Sequence, residues 1–282
     1  MGEITEALRR ARIDEKSRPP SAIDSALPHG AAAAMPAVDE TQLEPIGPLD
    51  RHESPSSEKE GFWSPRALFI EDQGAMAETA RHLALRVRAE LDQRGARSVA
   101  VVSALHSEGK TTIAGNLALA LCSLSPNRSV ALLDLDLRKP SLERSLGVRA
   151  RVGIDDVLLG EATLDEACIS FDKPPLDVYP IRQPRVAAHE LLVRPTLQAA
   201  LRELERRYEI VVVDTAPVLL VPDTPILLRH MPACLAVARA GLSRSKAFQR
   251  MCELLPPGKL VGAVLDEGRL PTDASSYRYY EH

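Results

Sequence analysis

Val99-Ala-Val-Val-Ser-Ala-Leu-His-Ser-Glu-Gly-Lys-Thr-Thr112 is an apolar run, a turn of small residues, and then Gly109-Lys110-Thr111-Thr112 at the head of a helical pattern. A strand ending in such a turn aims successive backbone N–H groups, and the positive end of the next helix, at one point where a polyphosphate can sit. The candidate cofactor-binding residues are therefore Ala104, Leu105, His106, Ser107, Glu108, Gly109, Lys110, Thr111 and Thr112. In such a loop Lys110 reaches the terminal phosphates and the Thr111 hydroxyl holds Mg²⁺. The pattern G-x-x-x-x-G-K-[ST] is met except at its first position, where Ala104 replaces glycine. On this motif alone an ordinary strand-to-helix turn stays open, so the neighbouring strands must decide.

Two further apolar runs end in acids. Ser129-Val-Ala-Leu-Leu-Asp-Leu-Asp-Leu-Arg-Lys-Pro140 delivers Asp134 and Asp136, and Tyr208-Glu-Ile-Val-Val-Val-Asp-Thr-Ala-Pro-Val218 delivers Asp214. Continuous apolar runs of this kind are strands buried on both faces, and open α/β sheets place their ligands at the C-terminal edge of such strands. The expected fold is a doubly wound, mostly parallel sheet with helices on both faces. Runs at 99–103, 130–133, 210–213, 234–238 and 260–265 are its expected inner strands. Helices are expected over 77–94, 111–124, 189–207 and 246–255.

Composition limits the rest. The 282 residues are 45% hydrophobic, enough for one sizeable core, and a net charge of -4 argues against a nucleic-acid surface. No run approaches the roughly 18 apolar residues of a membrane span, and the N-terminus shows no signal-peptide pattern, so a cytoplasmic location is expected. Cys122, Cys168, Cys234 and Cys252 sit far apart, mostly inside apolar runs, without metal-type spacing, and read as buried free thiols. Residues 1–65 hold eight of the 22 prolines and 12 acidic against seven basic residues, which predicts disorder apart from a short amphipathic helix at 2–16. A globular domain is expected over 66–270 and a tail over 271–282.

The strings SALHSEGKTT, ALLDLDLRKPSLERSLGV, GIDDVLLGEATLDEA and YEIVVVDTAPVLLVPD, in that order, resemble the cytoplasmic domain of bacterial tyrosine kinases of capsule and exopolysaccharide synthesis. The similarity runs from about Glu78 to Glu267, and that family lies in the ParA/MinD-like branch of P-loop ATPases. The resemblance implies ATP and Mg²⁺ as cofactors, a Walker A loop at Ala104–Thr111, a Walker A′ motif at Leu132–Arg138 and a Walker B motif at Val211–Asp214. The branch's signature lysine is absent from the loop.

Roles follow from the chemistry so implied. Lys110 and the loop amides supply charge neutralisation, Thr111 and Asp136 hold metal, and Asp214 acts on it through water. A tyrosine hydroxyl, with a pKa of about 10, needs a carboxylate to accept its proton, and Asp134 is the expected base. Arg138 has two readings, a contact to phosphate or acceptor and a structural ion pair.

The family's tyrosine-rich tail is phosphorylated by a neighbouring subunit, and Tyr277, Tyr279 and Tyr280 resemble a short version of it. The resemblance also implies a homo-oligomer and an activating membrane co-polymerase, a chain-length-determinant protein that recruits the kinase to the inner face of the membrane. In the family's assembly helix a Glu is followed at three and six residues by Arg; Glu78 and Arg81 match, whereas Ala84 departs. A second departure is Asp266, where the family often has Asn to meet adenine. Two other functions stay open from the sequence: an ATPase switch without kinase activity, and a non-catalytic regulator of polysaccharide export.

Overall fold

A computed structural model describes residues 75–124 and 130–267. The expected helix at 2–16, the disorder of 1–65, the domain start at 66 and the tail with its three tyrosines lie outside the described residues.

A seven-stranded sheet organises the domain: β1 (Ser98–Ser103), β2 (Val130–Asp134), β3 (Ile169–Phe171), β4 (Leu176–Tyr179), β5 (Ile210–Asp214), β6 (Cys234–Arg239) and β7 (Leu260–Asp266). Its order is β3-β4-β2-β5-β1-β6-β7, and every pairing is parallel except β3 with β4. Both faces are covered, because alternate residues of one strand enter different cores. Val99 and Val101 pack with α1 (Ala75–Arg94) and α2 (Lys110–Leu124), through Val87, Leu91, Leu117 and Leu121. Ala100 and Val102 pack on the opposite face with Leu197, Leu201 and Leu204 of α7 (Pro195–Arg207) and with Phe248 and Met251 of α9 (Ser245–Leu254). This is why the central strands read as unbroken apolar runs. Burying a leucine such as Leu117 or Leu204 contributes roughly 1.5–3 kcal/mol.

The short helices α3 (Leu142–Leu146), α4 (Ile154–Leu159), α5 (Leu164–Ala167), α6 (Ala188–Leu192) and α8 (Asp223–Leu227) fill the connections. Two expectations are corrected. The run at 260–265 is an edge strand, not an inner one, and its residues are largely half-exposed. The helix expected over 189–207 is two helices, α6 and α7, because Pro195 restricts the backbone before it and opens a new helix at its first position. Strands β3 and β4 were not expected, being three and four residues long with no continuous apolar run. All four cysteines among the described residues are free, as expected; Cys122 and Cys234 are buried, but burial is corrected for Cys168 and Cys252, which are partly exposed, Cys168 ahead of the edge strand β3 and Cys252 near the end of α9.

Candidate active site

Strand register brings the acids together. In the β2/β5 pairing Asp134 stands beside Asp214, and in the β1/β5 pairing Val101 stands beside Asp214, one residue pair below the loop. The C-terminal edge of β1, β2 and β5 therefore carries both the loop and the carboxylates, which meet where the Thr111 hydroxyl donates to Asp214.

The loop between β1 and α2 is closed by its own side chains. Ser103 Oγ donates to the Leu105 carbonyl at 2.9 Å, and the Leu105 N–H donates to Glu108 Oε2 at 2.6 Å. Ser107 (φ 63°) is in the left-handed region and Gly109 has φ 91°, alternations that turn successive N–H groups to one side. Ser107 and Glu267 are the described non-glycine residues with positive φ, so Ala104 keeps an ordinary backbone conformation and glycine is not required there. Gly109 is required. A Cβ on it would fall 2.3 Å from Asp266 Oδ2, so the Asp266 carboxylate lies against the loop.

Lys110, 7% exposed, heads α2 among the acids. Burial raises the proton affinity of Asp136, while the Lys139 amide, Lys110 and His106 lower it. Burial likewise lifts Asp214 to about 6, against the opposing pull of Lys110 and of the Thr111 hydroxyl, which donates to Asp214 Oδ2 at 2.5 Å. Asp134 is fully buried, and desolvation followed by the adjacent Asp214 holds its carboxyl well above the usual range. Its Oδ1 accepts the Asp136 N–H at 3.0 Å, whereas Oδ2 accepts two longer bonds, from the Ser141 and Leu142 amides, at 3.3 Å each. His106 is exposed and its imidazole is held below the ordinary value by burial of part of the ring and by Lys139 and Lys110.

The donor set suits a hard cation that keeps most of its ligands from phosphate and water. Among the described residues no three His, Cys, Asp or Glu side chains converge as a metal cage. One hydroxyl and separate carboxylates are what Mg²⁺ takes from a protein when substrate phosphates complete its shell. A hollow of about 430 Å³ lined by Arg97, Arg229, His230 and Lys259 lies away from this edge and shares no residue with it.

Arg138 is drawn into a structural ion pair. Its Nε and Nη2 donate to the two oxygens of Asp223 at 2.6 and 3.1 Å, and Nη1 donates to the Val186 carbonyl at 2.9 Å. Asp223 is 1% exposed, so this pair anchors α8 to the turn after β2. Ser141 is a site residue that sequence reasoning missed: placed to cap α3, its hydroxyl instead meets Thr111 Oγ1 at 2.8 Å. Its only sequence signal is a serine before a helical stretch. In α1, Glu78 and Arg81 pair with each other, and Ala84 is fully buried among Val87, Leu91 and the α2 leucines. The third position of the assembly pattern thus faces the core.

Among the described residues no helix is long and apolar enough to cross a membrane. No protein-family profile matches the chain. The kinase domain of the Escherichia coli tyrosine kinase Etk superposes with a TM-score of 0.66 at 26% identity, covering 75% of this chain and 83% of that one. The succinoglycan biosynthesis transport protein ExoP of Rhizobium meliloti is 27% identical over 228 residues, 79% of this chain but 29% of ExoP. The tyrosine-protein kinase YwqD of Bacillus subtilis is 30% identical over 189 residues, 66% of this chain and 78% of YwqD. With this identity over most of YwqD and a sheet that superposes on the Etk kinase domain, the chain belongs to the bacterial tyrosine kinase family.

Proposed function

We propose that this chain is a Mg-ATP-dependent protein-tyrosine autokinase serving exopolysaccharide or capsule assembly. The observation that carries the reading is the meeting of Lys110 and Thr111 with Asp134, Asp136 and Asp214 at one sheet edge. Such a set suits phosphoryl transfer, in which a protein mainly positions groups and neutralises charge. Mg-ATP, when bound, supplies the transferable phosphoryl group and a divalent charge.

Lys110 neutralises the terminal phosphates, and the loop amides donate to them. Thr111 and Asp136 would hold the metal, and Asp214, which accepts the Thr111 hydroxyl, would act on it through water. Asp134 is assigned the tyrosine proton, a task that its raised proton affinity suits; it is fully buried, so the acceptor reaches it only as the site opens to admit the tyrosine. Arg138 holds the A′ turn through Asp223 and leaves phosphate binding to Lys110.

The acceptors in this reading are Tyr277, Tyr279 and Tyr280. Of the chain's five tyrosines, Tyr179 and Tyr208 are 1% and 7% exposed and share a 2.8 Å hydroxyl contact, and Tyr208 also donates to Asp177. Neither can present its hydroxyl to another site without unfolding its surroundings. Similarity to a stretch of ExoP supports a membrane polysaccharide co-polymerase as the activating partner, with the kinase working at the cytoplasmic face. The test is incubation with Mg-ATP followed by mapping of phosphotyrosine by mass spectrometry. Phosphate on 277–280, lost in the triple Tyr→Phe variant, is expected; ATP hydrolysis without phosphotyrosine would instead identify an ATPase switch.

A further inference from the structure

Glu108 is an unusual loop residue: a carboxylate 1% exposed inside a loop whose task is to bind anions. Both its oxygens are engaged. Oε2 accepts the Leu105 N–H at 2.6 Å, and Oε1 accepts the hydroxyl of Ser243, from the turn between β6 and α9. Ser243 is itself fixed, since its Oγ accepts the Arg239 N–H at 2.8 Å and its N–H donates to the Arg239 carbonyl at 2.9 Å. The same turn reaches the loop a second time, through Arg239 Nη1 to the Ser107 carbonyl at 3.3 Å, while the Arg239 Nη2 pairs with Glu267. Ser107 and Glu108 are thus gripped from outside the loop at the point where a non-glycine residue holds a left-handed backbone. Such a conformation persists only where its surroundings over-determine it.

We infer that Ser243 is a positioning residue for nucleotide binding, acting through Glu108 to hold the phosphate loop in its receptive shape before ligand arrives. This rests on the reading of the loop as a Mg-ATP site. Among the described residues the hydrogen bond from Ser243 to the loop goes to Glu108, so Ser243 acts through that side chain and is not a catalytic residue. A buried carboxylate oxygen that loses its donor must seek water, which frees the Leu105 amide and lets the left-handed turn relax. The cost then falls on binding, because ligand must reorder the loop, while the bound complex regains the working geometry.

Three single variants and one double test this. Ser243→Ala should weaken Mg-ATP binding about tenfold, seen both in calorimetric Kd and in KM, with kcat changed less than about twofold. Ser243→Thr keeps the hydroxyl and should restore most of the affinity. In a Glu108→Gln background, Ser243→Ala should add less than about threefold, since the two residues act as one unit. In nucleotide-free protein, amide hydrogen exchange over 105–109 should be faster in Ser243→Ala than in wild type, with the β1 and β5 amides unchanged. Equal exchange and equal Kd in Ser243→Ala would overturn the inference and leave the site reading intact, as would full additivity with Glu108→Gln. Absence of Mg-ATP binding by wild type would overturn the site reading and this inference together.

Discussion

Lys110 is the residue on which the site's charge balance turns. It is a buried cation at the head of α2, and it lowers the proton affinity of both Asp136 and Asp214. Lys110→Met should reduce ATP-dependent tyrosine phosphorylation by about a hundredfold or more while far-UV circular dichroism stays that of wild type. Retained autophosphorylation would show that the phosphates are held elsewhere. The neighbouring acids make a second, pH-dependent prediction. Asp214 has its folded value raised to about 6 by burial, so between the ordinary value near 3.8 and about 6 the folded state binds a proton that the unfolded chain has released. In nucleotide-free protein the contribution of Asp214 is therefore favourable in acid and is lost as pH rises through about 6. Asp214→Asn should flatten the fall in Tm between about pH 4 and 6.5, by removing this titration together with the charge that lifts Asp134, while His106, whose depressed value acts with the opposite sign, stays in place in both proteins.

At the scale of elements, connections between strand ends hold the site, and these were the part least legible in the sequence. Strands β1, β2 and β5 were readable because each is a continuous apolar run ending in loop or acid, and burial on both faces makes that pattern unavoidable. Ser141, Asp223 and Ser243 were not, because each owes its place to a contact across 30 or more residues rather than to its neighbours. Ala104 illustrates the converse: the motif departs from glycine, yet the backbone there needs none. Arg138–Asp223 is the connection with most at stake, since Asp223 is buried and its partner is about one-third exposed. Arg138→Ala leaves that carboxylate uncompensated and should cost about 3 kcal/mol in urea unfolding, whereas Arg138→Met combined with Asp223→Leu should recover most of the loss. If Arg138→Ala instead unfolds like wild type and fails only in phosphotransfer, Arg138 belongs to the chemistry and the ion pair is secondary.

At the scale of the whole molecule, α1 decides how copies of the chain can meet. It covers one face of the sheet, and its rotation places Ala84, Val87 and Leu91 inward, against the α2 leucines. Glu78 and Arg81 remain on the outer side and satisfy each other. An assembly through this helix would have to open that pair and would lack the second cation of the family's pattern, the one at its third position. Restoring it is not open to this helix: Ala84→Arg would force a guanidinium into a site with no exposure, at a cost of several kcal/mol, and should give less folded protein rather than larger assemblies. We therefore expect the protein alone, with Mg-nucleotide and at micromolar concentration, to show by light scattering the 30.7 kDa of one chain, unchanged by Arg81→Ala. A mass several times larger that falls to one chain in Arg81→Ala would show that the outer face of α1 assembles subunits with two of the pattern's three charges. If the mass is that of one chain, phosphorylation between copies of the proposed autokinase proceeds through transient encounters, and its initial rate in the protein alone should rise with the square of kinase concentration.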